Sequence, residues 1–161
     1  FDTGTTTSFV ARELTRHRRL TVVTNSSDIA RTLATVNGNR VYMAGGELRP
    51  DSGAAFGKSA LDFIAQFTVH HAIISAGAVD PGGVMDYALE EAEFARLVLS
   101  RGERRVVVTD HTKFGRRGLI AVADFGEVDE IVAALQSAAH TGQAIAGWIT
   151  VTQLLRAEPV Q

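Results

Sequence analysis

Short runs of β-branched and apolar residues alternate with helix-like segments along most of the chain, and this alternation constrains the fold more than any other feature. The extended runs are Leu20 to Thr24, Arg40 to Met43, Ala72 to Ser75, Arg105 to Thr109 and Leu119 to Val122. Between them, apolar residues recur at helical spacing in Phe9, Val10 and Leu14, in Ile29, Ala30 and Leu33, in Leu61, Ile64 and Ala65, and across Leu89 to Leu99. Strands separated by helices are typical of a parallel sheet with crossover helices. We therefore predict an α/β fold, Rossmann-like, with helices flanking a mainly parallel sheet.

The pattern weakens after Val132. Ala133 to Ala146 have helical spacing, and Gly147 to Thr152 have the character of a late edge strand. No repeat or linker divides residues 1–161, so we predict a single domain in which residues 133–161 form a less regular C-terminal segment. The chain has no initial methionine and begins at a loop of the kind that normally follows a strand, so we expect it to be part of a longer protein.

The composition argues against several classes of protein. Of 161 residues, 16 are Lys or Arg and 18 are Asp or Glu, which gives a net charge of −2. Proteins that bind nucleic acid rely on Lys and Arg against phosphates, so we do not expect this chain to bind DNA by itself. There is no cysteine, and the adjacent His70 and His71 would point to opposite faces of a strand rather than share a metal. No apolar stretch approaches the roughly 20 residues that span a bilayer. We predict a soluble, cytoplasmic protein with no membrane partner, metal or cofactor.

A small, hydroxyl-rich segment, the opening loop Asp2 to Thr7, runs directly into the first helix-like segment. The free N–H groups at the start of a helix carry partial positive charge and attract anions. Gly4 lets an anion approach the backbone, the hydroxyls of Thr3, Thr5 and Thr6 donate further hydrogen bonds, and Asp2 is placed to meet a ligand's hydroxyl groups. The alternative is that Thr5 or Thr6 only caps the helix.

Four further loops follow predicted strands. In open α/β sheets, ligands bind beyond the carboxyl ends of the strands, so we expect these loops to share one rim with the opening loop. The residues for which we predict a binding role there are Thr24, Asn25, Ser26, Gly45, Gly46, Glu47, Arg49, Gly77, Asp80, Asp110 and Lys113. Together with the opening loop they indicate a pocket for a small, polyhydroxylated anion.

Most of these residues also have a simpler explanation. Gly45 and Gly46 would serve the turn from a strand into a loop, which needs glycine anyway. Thr24 to Ser26 would cap the next helix, and Asp80 would belong to the turn before Pro81. Glu47 and Arg49 would be exposed charges. Lys113 suits a phosphate as a point donor, but it would equally form a weak surface pair with Asp110.

Taken in order, these segments resemble the effector-sensing domain of the DeoR family of bacterial transcription regulators, which control sugar metabolism. The resemblance covers roughly residues 1–132. The motifs that carry it are the Asp-x-Gly-Thr-Thr loop at Asp2 to Thr6, the Thr-Asn-Ser turn at Thr24 to Ser26, Gly45 and Gly46, the helix start at Gly57, and Asp110-x-x-Lys113-Phe114-Gly115.

The resemblance implies a fold related to ribose-5-phosphate isomerase and a phosphorylated sugar or polyol as effector. It also implies a winged helix-turn-helix DNA-binding domain before Phe1, through which alone the protein would contact DNA, and a repressor that its effector releases. Because two DNA half-sites require at least a dimer, we expect a homo-oligomer.

The alternative function is a sugar-phosphate isomerase of the same fold. Such an enzyme needs a positioned general base and an electrophile for the developing enediolate. The isomerases have an acidic Asp-Gly-Ala-Asp-Glu loop followed by Lys-Gly-Gly, where this chain has Ser75 to Asp80 and then Gly82 and Gly83 without a lysine. We therefore predict a sensor with no catalytic residues.

Overall fold

The computed structural model describes residues 1–134 and 148–150, which form a mixed α/β structure. The helices are α1 (Thr5–Leu14), α2 (Ser27–Ala34), α3 (Lys58–Ile64), α4 (Leu89–Ser100) and a 3-10 turn at His111–Lys113. The strands are β1 (Thr21–Thr24), β2 (Arg40–Met43), β3 (Val69–Ser75), β4 (Ala78–Asp80), β5 (Gly83–Asp86), β6 (Gly102–Asp110), β7 (Ile120–Ala123), β8 (Glu130–Ala134) and β9 (Trp148–Thr150). The four predicted helices and the five predicted strands are confirmed, with small shifts at their ends.

The parallel strands form two groups that the first two residues join. β3, β6 and β8 are parallel, and β1 pairs in parallel with β2. The Phe1 nitrogen donates to the Val23 carbonyl of β1 at 2.7 Å, and the Asp2 N–H donates to the Ile73 carbonyl of β3 at 3.2 Å. Consecutive residues that donate to opposite sides behave as a strand between two neighbours. The opening loop therefore leaves the sheet between β1 and β3.

Apolar side chains from the sheet and α4 form the main core. Phe94 of α4 is buried with Ile74 of β3, Val107 of β6 and Ile131 of β8. β-branched residues are suited to such strands, because their stiff side chains pack well on a pleated surface. Removing a ring such as that of Phe94 from a core typically costs about 3–5 kcal/mol. This core holds fixed the ends of the strands from which the loops emerge.

A small antiparallel sheet contains the strand predicted at Leu119 to Val122. Its order is β4, β5, β7, so the strand predicted at Leu119 to Val122 exists as Ile120–Ala123 but does not belong to the parallel sheet. A parallel crossover needs about a dozen residues or more. The short connection from Asp110 to Ile120 cannot provide one, and β7 therefore pairs antiparallel with β5.

The C-terminal prediction is partly wrong. Ala133 and Ala134 are not helical but complete β8, opposite Thr109 and Asp110 of β6. The rest of the predicted helix, residues 135–146, lies outside the described residues. The late strand is confirmed for Trp148–Thr150, which pairs antiparallel with β8. Within the described residues, no helix is long and apolar enough to cross a membrane, and no group of three or more candidate ligands gathers to hold a metal ion.

Candidate functional site

A cleft of about 730 Å³ lies where α1 begins and several strands end. The predicted site residues that line it are Thr3, Gly4, Thr5, Thr6, Ser26, Gly77, Asp110 and Lys113. The other lining residues are Ser8, Phe9, Arg12, Asp28, Asp51, Ser52, Ser75, Ala76, Asp86, Tyr87, Ala88 and Glu91. The structure thus brings together residues from four of the five loops that the sequence analysis placed at one rim.

Asp2 and Ser75 hold the opening loop in position. The Ser75 N–H donates to both carboxylate oxygens of Asp2 at 3.0 Å, and the Ser75 hydroxyl donates to the Thr3 carbonyl at 3.0 Å. Asp2 is itself buried, and this burial raises its pKa well above the usual value, although the hydrogen bonds from Ser75 oppose the shift. Asp2 therefore lies beneath the cleft, where it supports the loop and does not line the cavity.

Gly4 allows the close contact between the opening loop and β3. A Cβ atom on Gly4 would lie 2.5 Å from the Ser75 hydroxyl oxygen and 2.9 Å from the Ser75 Cβ. Only glycine fits this approach without a shift of its neighbours. The sequence interpretation of Gly4 as a point where an anion approaches the backbone leaves out this packing role.

The first turn of α1 has no side-chain cap. Gly4, rather than Thr5 or Thr6, is the N-cap residue, and the first helical hydrogen bond runs from the Ser8 N–H to the Gly4 carbonyl at 3.0 Å. Within residues 1–134 and 148–150, the N–H groups of the three preceding residues, 5–7, have no hydrogen-bond acceptor. Uncapped N–H groups beside a cleft are the geometry in which helices bind anions. The alternative in which Thr5 or Thr6 merely caps this helix is wrong.

Two cations lie at the cleft, and one of them was not predicted. Lys113 follows Asp110, whose carboxylate accepts from the Thr112 N–H at 2.8 Å and from the Thr112 hydroxyl. No ion pair joins Lys113 to Asp110 or to any other described carboxylate. Arg12 is the unpredicted cation, and its guanidinium lies 4.9 Å from the centre of the Phe9 ring.

Helical spacing could have identified the α1 residues of the cleft. Ser8, Phe9 and Arg12 follow Thr5 by three, four and seven positions, so they share one face of α1 with it. Phe9, which helical spacing places on one face with Val10 and Leu14, is half-buried and lines the cleft. The buried residues of α1 are Thr6, Thr7 and Ala11.

Carboxylates form the other chemical component of the cleft. Asp86, at the end of β5, and Glu91, in the first turn of α4, both line it. Partial burial and, to a smaller extent, the Asp86 carboxylate raise the pKa of Glu91, while Arg49 opposes this shift. The sequence gives no reason to assign this pair to the site, because the helix dipole favours acidic residues at a helix start without any ligand. Carboxylates beside uncapped N–H groups let one cavity accept hydrogen bonds from hydroxyls and donate them to an anion.

Arg49 lies beside the cleft, and its guanidinium is already paired with carboxylates. Its guanidinium contacts Asp51 at 2.8 Å, Glu91 at 3.5 Å and Glu90 at 3.8 Å, and it lies 5.4 Å from the centre of the Phe56 ring. Arg49, for which a binding role was predicted, is therefore paired with carboxylates in this structure. Its contacts connect the loop after β2 to the start of α4.

The Thr24 to Ser26 turn is buried, and only Ser26 reaches the cleft. Ser26 caps α2 by accepting from the Ile29 N–H at 3.4 Å, and Thr24 accepts from the Ser26 N–H at 3.1 Å. The Asn25 amide donates to the Ala55 carbonyl at 2.9 Å, and its buried Oδ1 has no partner among the described residues. The capping alternative accounts for this turn, with the buried Ser26 also lining the cleft.

The remaining predicted site residues are not part of the cleft lining. Gly45, Gly46 and Glu47 are exposed in the loop after β2. Asp80 accepts from the Gly82 N–H at 2.7 Å, so it forms the turn before Pro81 that the sequence analysis gave as its alternative. A second groove, of about 680 Å³ and bordered by β1 and β3, contains none of the predicted binding residues.

Residues 1–134 match the family model described as the DeoR C terminal sensor domain. The chain belongs to the DeoR family. The match to its sensor domain includes the opening loop, the turn after β1 and the Lys113 loop, and so contains every cleft-lining residue that the structure describes.

Several transcriptional repressors are similar to this DeoR sensor domain. The glycerol-3-phosphate regulon repressor of Escherichia coli (strain K12) is 34% identical over 131 residues, which cover 81% of this chain and 52% of that protein. The transcriptional repressor AccR of Agrobacterium fabrum is 35% identical over 133 residues, covering 81% and 52%. The lactose phosphotransferase system repressor of Staphylococcus aureus (strain NCTC 8325) is 31% identical over 134 residues, covering 82% and 53%. The DeoR sensor domain thus spans about half the length of these relatives, which are regulators and not enzymes.

Proposed function

We propose that this sensor domain binds a phosphorylated sugar or polyol in the cleft at the start of α1, and that occupancy of the cleft controls DNA binding by another domain of the same protein. The observation that carries the proposal is the uncapped first turn of α1, which opens into a cavity that also contains Lys113 and Arg12. Free N–H groups and two cations favour an anion.

The carboxylates of the cleft fit the rest of such a ligand. A sugar or polyol carries hydroxyl groups that donate hydrogen bonds, and Asp86 and Glu91 provide acceptors in the same cavity. In this arrangement the phosphate lies on the N–H groups of residues 5–7 beside Lys113, and the hydroxyls point towards residues 86–91. An unphosphorylated sugar would leave the first turn of α1 without its anion.

The names of two relatives agree with this ligand class. One is called a repressor of a glycerol-3-phosphate regulon and another a repressor of a lactose phosphotransferase system. From these relatives we infer that this chain is part of a cytoplasmic repressor of sugar metabolism, and that binding of the effector releases the repressor from DNA. An effector that binds one conformation of the repressor more tightly than the other supplies the free energy for such a switch.

The wider architecture is part of the same proposal. We infer that the α/β domain is related to the ribose-5-phosphate isomerase fold, that residues 1–161 form one effector-binding domain, and that a winged helix-turn-helix elsewhere in the protein makes the DNA contacts. The net charge of −2 supports this division, because it offers DNA no basic surface. We also infer a homo-oligomer, since two DNA half-sites are bound by two copies of a DNA-binding domain.

A thermal-shift panel tests the ligand class. Glycerol 3-phosphate, ribose 5-phosphate and fructose 6-phosphate are compared with glycerol, ribose, fructose and inorganic phosphate. A ligand at about 100 times its Kd stabilises the folded state by about 2.7 kcal/mol, which corresponds to a rise in Tm of roughly 5–10 °C for a chain of this size. We expect at least one phosphorylated compound to produce this rise and its unphosphorylated parent to produce none.

The two lysines of the chain provide a matched pair of variants. Lys113 lines the cleft, whereas Lys58 is paired with Asp62 on the surface of α3. Lys113→Ala and Thr5→Val should reduce the thermal shift of an active compound, and Lys58→Ala should leave it unchanged. Stabilisation by none of the phosphorylated compounds, or an equal effect of the two lysine variants, would overturn the assignment of the cleft.

A further inference from the structure

The two cations of the cleft lie at different levels of α1. Arg12 follows Thr5 by seven positions, so its Cα lies about 10 Å further along the helix axis than the start of α1. Its guanidinium lies 4.9 Å from the centre of the ring of Phe9, whose Cα is about 6 Å beyond that of Thr5. A cation is attracted to the face of an aromatic ring. The contact with Phe9 therefore holds the charge of Arg12 in the second turn of the helix, beside the cavity.

One anionic group cannot contact both the helix start and Arg12. An anion on the N–H groups of residues 5–7 lies beyond the first turn, on the side away from Arg12. Its separation from the Arg12 guanidinium is then on the order of 8 Å, whereas a charge-assisted hydrogen bond is about 2.8 Å long. The cleft thus has a second cationic position, further along α1 than the first.

The charge of Arg12 is unpaired although the cleft is rich in carboxylates. The acidic residues that line the cleft are Asp28, Asp51, Asp86, Glu91 and Asp110. Two of them pair with other arginines, since Asp28 contacts Arg31 at 3.7 Å and Asp51 contacts Arg49 at 2.8 Å. Among residues 1–134 and 148–150, no carboxylate forms an ion pair with Arg12. Its guanidinium is therefore available to an anionic group of a ligand.

We propose that the effector carries a second anionic group, a carboxylate or a further phosphate, which binds Arg12 while the first phosphate lies at the start of α1. This inference rests on the proposed function, because the first phosphate fixes one end of the ligand. A six-carbon sugar with an anionic group at each end spans the two positions. Glycerol 3-phosphate is shorter and has a single anionic group, so it does not reach Arg12. The ligand class is thus the hexose bisphosphates and the phosphorylated six-carbon sugar acids.

Arginine is suited to such a terminal group. Its planar guanidinium donates two parallel hydrogen bonds to a carboxylate or a phosphate, whereas a lysine acts as a point charge. A neutral hydroxymethyl or aldehyde end offers the guanidinium no charge to pair with. Arg12 therefore selects for the end of the ligand opposite to the phosphate that the helix start binds.

Isothermal titration calorimetry of the 161-residue chain compares ligands that differ in the second anionic group. Fructose 1,6-bisphosphate is compared with fructose 6-phosphate and fructose 1-phosphate, and gluconate 6-phosphate is compared with glucose 6-phosphate. We expect at least one of the two compounds with two anionic groups to bind roughly tenfold or more tightly than its single-phosphate counterparts, because hydrogen bonds between charged groups are the stronger ones. The two comparisons distinguish a phosphate from a carboxylate at Arg12.

Variants of α1 separate the second position from a general effect of charge. Arg12→Gln should weaken the compound with two anionic groups roughly tenfold or more and the single-phosphate compounds much less. Arg12→Lys should retain part of the difference, because the ammonium keeps the charge without the planar fork. Arg16→Gln is the matched control, because Arg16 lies on the same helix, is paired with Glu13 at 3.0 Å and does not line the cleft. Circular dichroism verifies that the variants fold.

The outcomes distinguish this inference from the proposed function. Single-phosphate compounds that bind as tightly as those with two anionic groups, or equal effects of Arg12→Gln and Arg16→Gln, would overturn the second position and leave the phosphate site at the start of α1 standing. Binding of no phosphorylated compound in either class would overturn both.

Discussion

Replacing Gly4 with alanine tests whether the position of the opening loop depends on its close approach to Ser75. The new Cβ would lie 2.5 Å from the Ser75 hydroxyl oxygen and 2.9 Å from the Ser75 Cβ. Overpacking of this kind costs about 1–3 kcal/mol. If Ser75 instead rotates away, its hydroxyl loses the hydrogen bonding that its one proton shares between the Thr3 carbonyl and the Asp2 carboxylate, which contributes about 1 kcal/mol, and the contact with the Ser75 Cβ remains.

Alanine also restricts the unfolded chain, which offsets about 0.4–1 kcal/mol of this cost. We therefore expect Gly4→Ala to lower the free energy of unfolding by about 1–2 kcal/mol and the Tm by roughly 2–8 °C. Urea unfolding followed by circular dichroism measures the change. Gly45→Ala is the matched control, because a Cβ at this exposed glycine would meet nothing within 4 Å, and its stability should be unchanged or slightly increased.

The double variant Gly4→Ala/Ser75→Gly isolates the proposed contact. Removing the Ser75 side chain removes both close approaches, so the two substitutions together should cost less than the sum of the separate costs, by about 0.5 kcal/mol or more. Strict additivity, or equal effects of Gly4→Ala and Gly45→Ala, would refute the explanation based on close packing.

Three further outcomes are expected at the cleft and beneath it. Ser75→Ala should cost about 1 kcal/mol through the lost hydroxyl bonds, whereas Ser100→Ala, which loses only a bond within an exposed helix end, should be nearly neutral in urea unfolding. Folded Asp2 retains a proton at pH values where the unfolded chain has released it, so the stability that it contributes falls as the pH rises from about 4 through its raised folded-state pKa. Asp2→Asn should remove this fall, and an identical pH dependence of unfolding in both proteins would contradict the assignment. Arg49→Gln should raise the pKa of Glu91 further, because the guanidinium opposes the shift caused by burial. Carboxyl ¹³C NMR titration measures this pKa, and an unchanged or lowered value would contradict the expectation.

The elements of the fold were predictable because their signals are local. Hydrophobic spacing located α1, α2, α3 and α4, and β-branched runs located the longer strands. β4 and β5 were missed because strands of three and four residues around a Pro-Gly turn leave almost no periodic signal. The partner of β7 was misassigned because its sheet depends on the length of a connection and not on its own residues.

The cleft was predictable only where a loop contacts it directly after a strand. Gly4, Lys113 and Asp110 met this condition, and Arg12 would have been found by continuing the helical period from Thr5. Asp51 could not be found in this way, because hydrogen bonds such as that from the Ala55 N–H to the Asn25 carbonyl bring its irregular loop to the rim. Contacts between segments distant in sequence leave no pattern in one sequence.

The hydrogen bonds of Asp2 determine the position of the opening loop but not which ligand the loop prefers. The Asp2 backbone is joined to β3, its carboxylate accepts from Ser75, and Gly4 packs against the same serine, so the main chain of the opening loop takes its position from the sheet. The outward side chains of Thr3 and Thr5 take no part in this attachment. Substitutions there can change ligand preference while the backbone amides stay in place, so one scaffold can serve regulators of different compounds without being rebuilt.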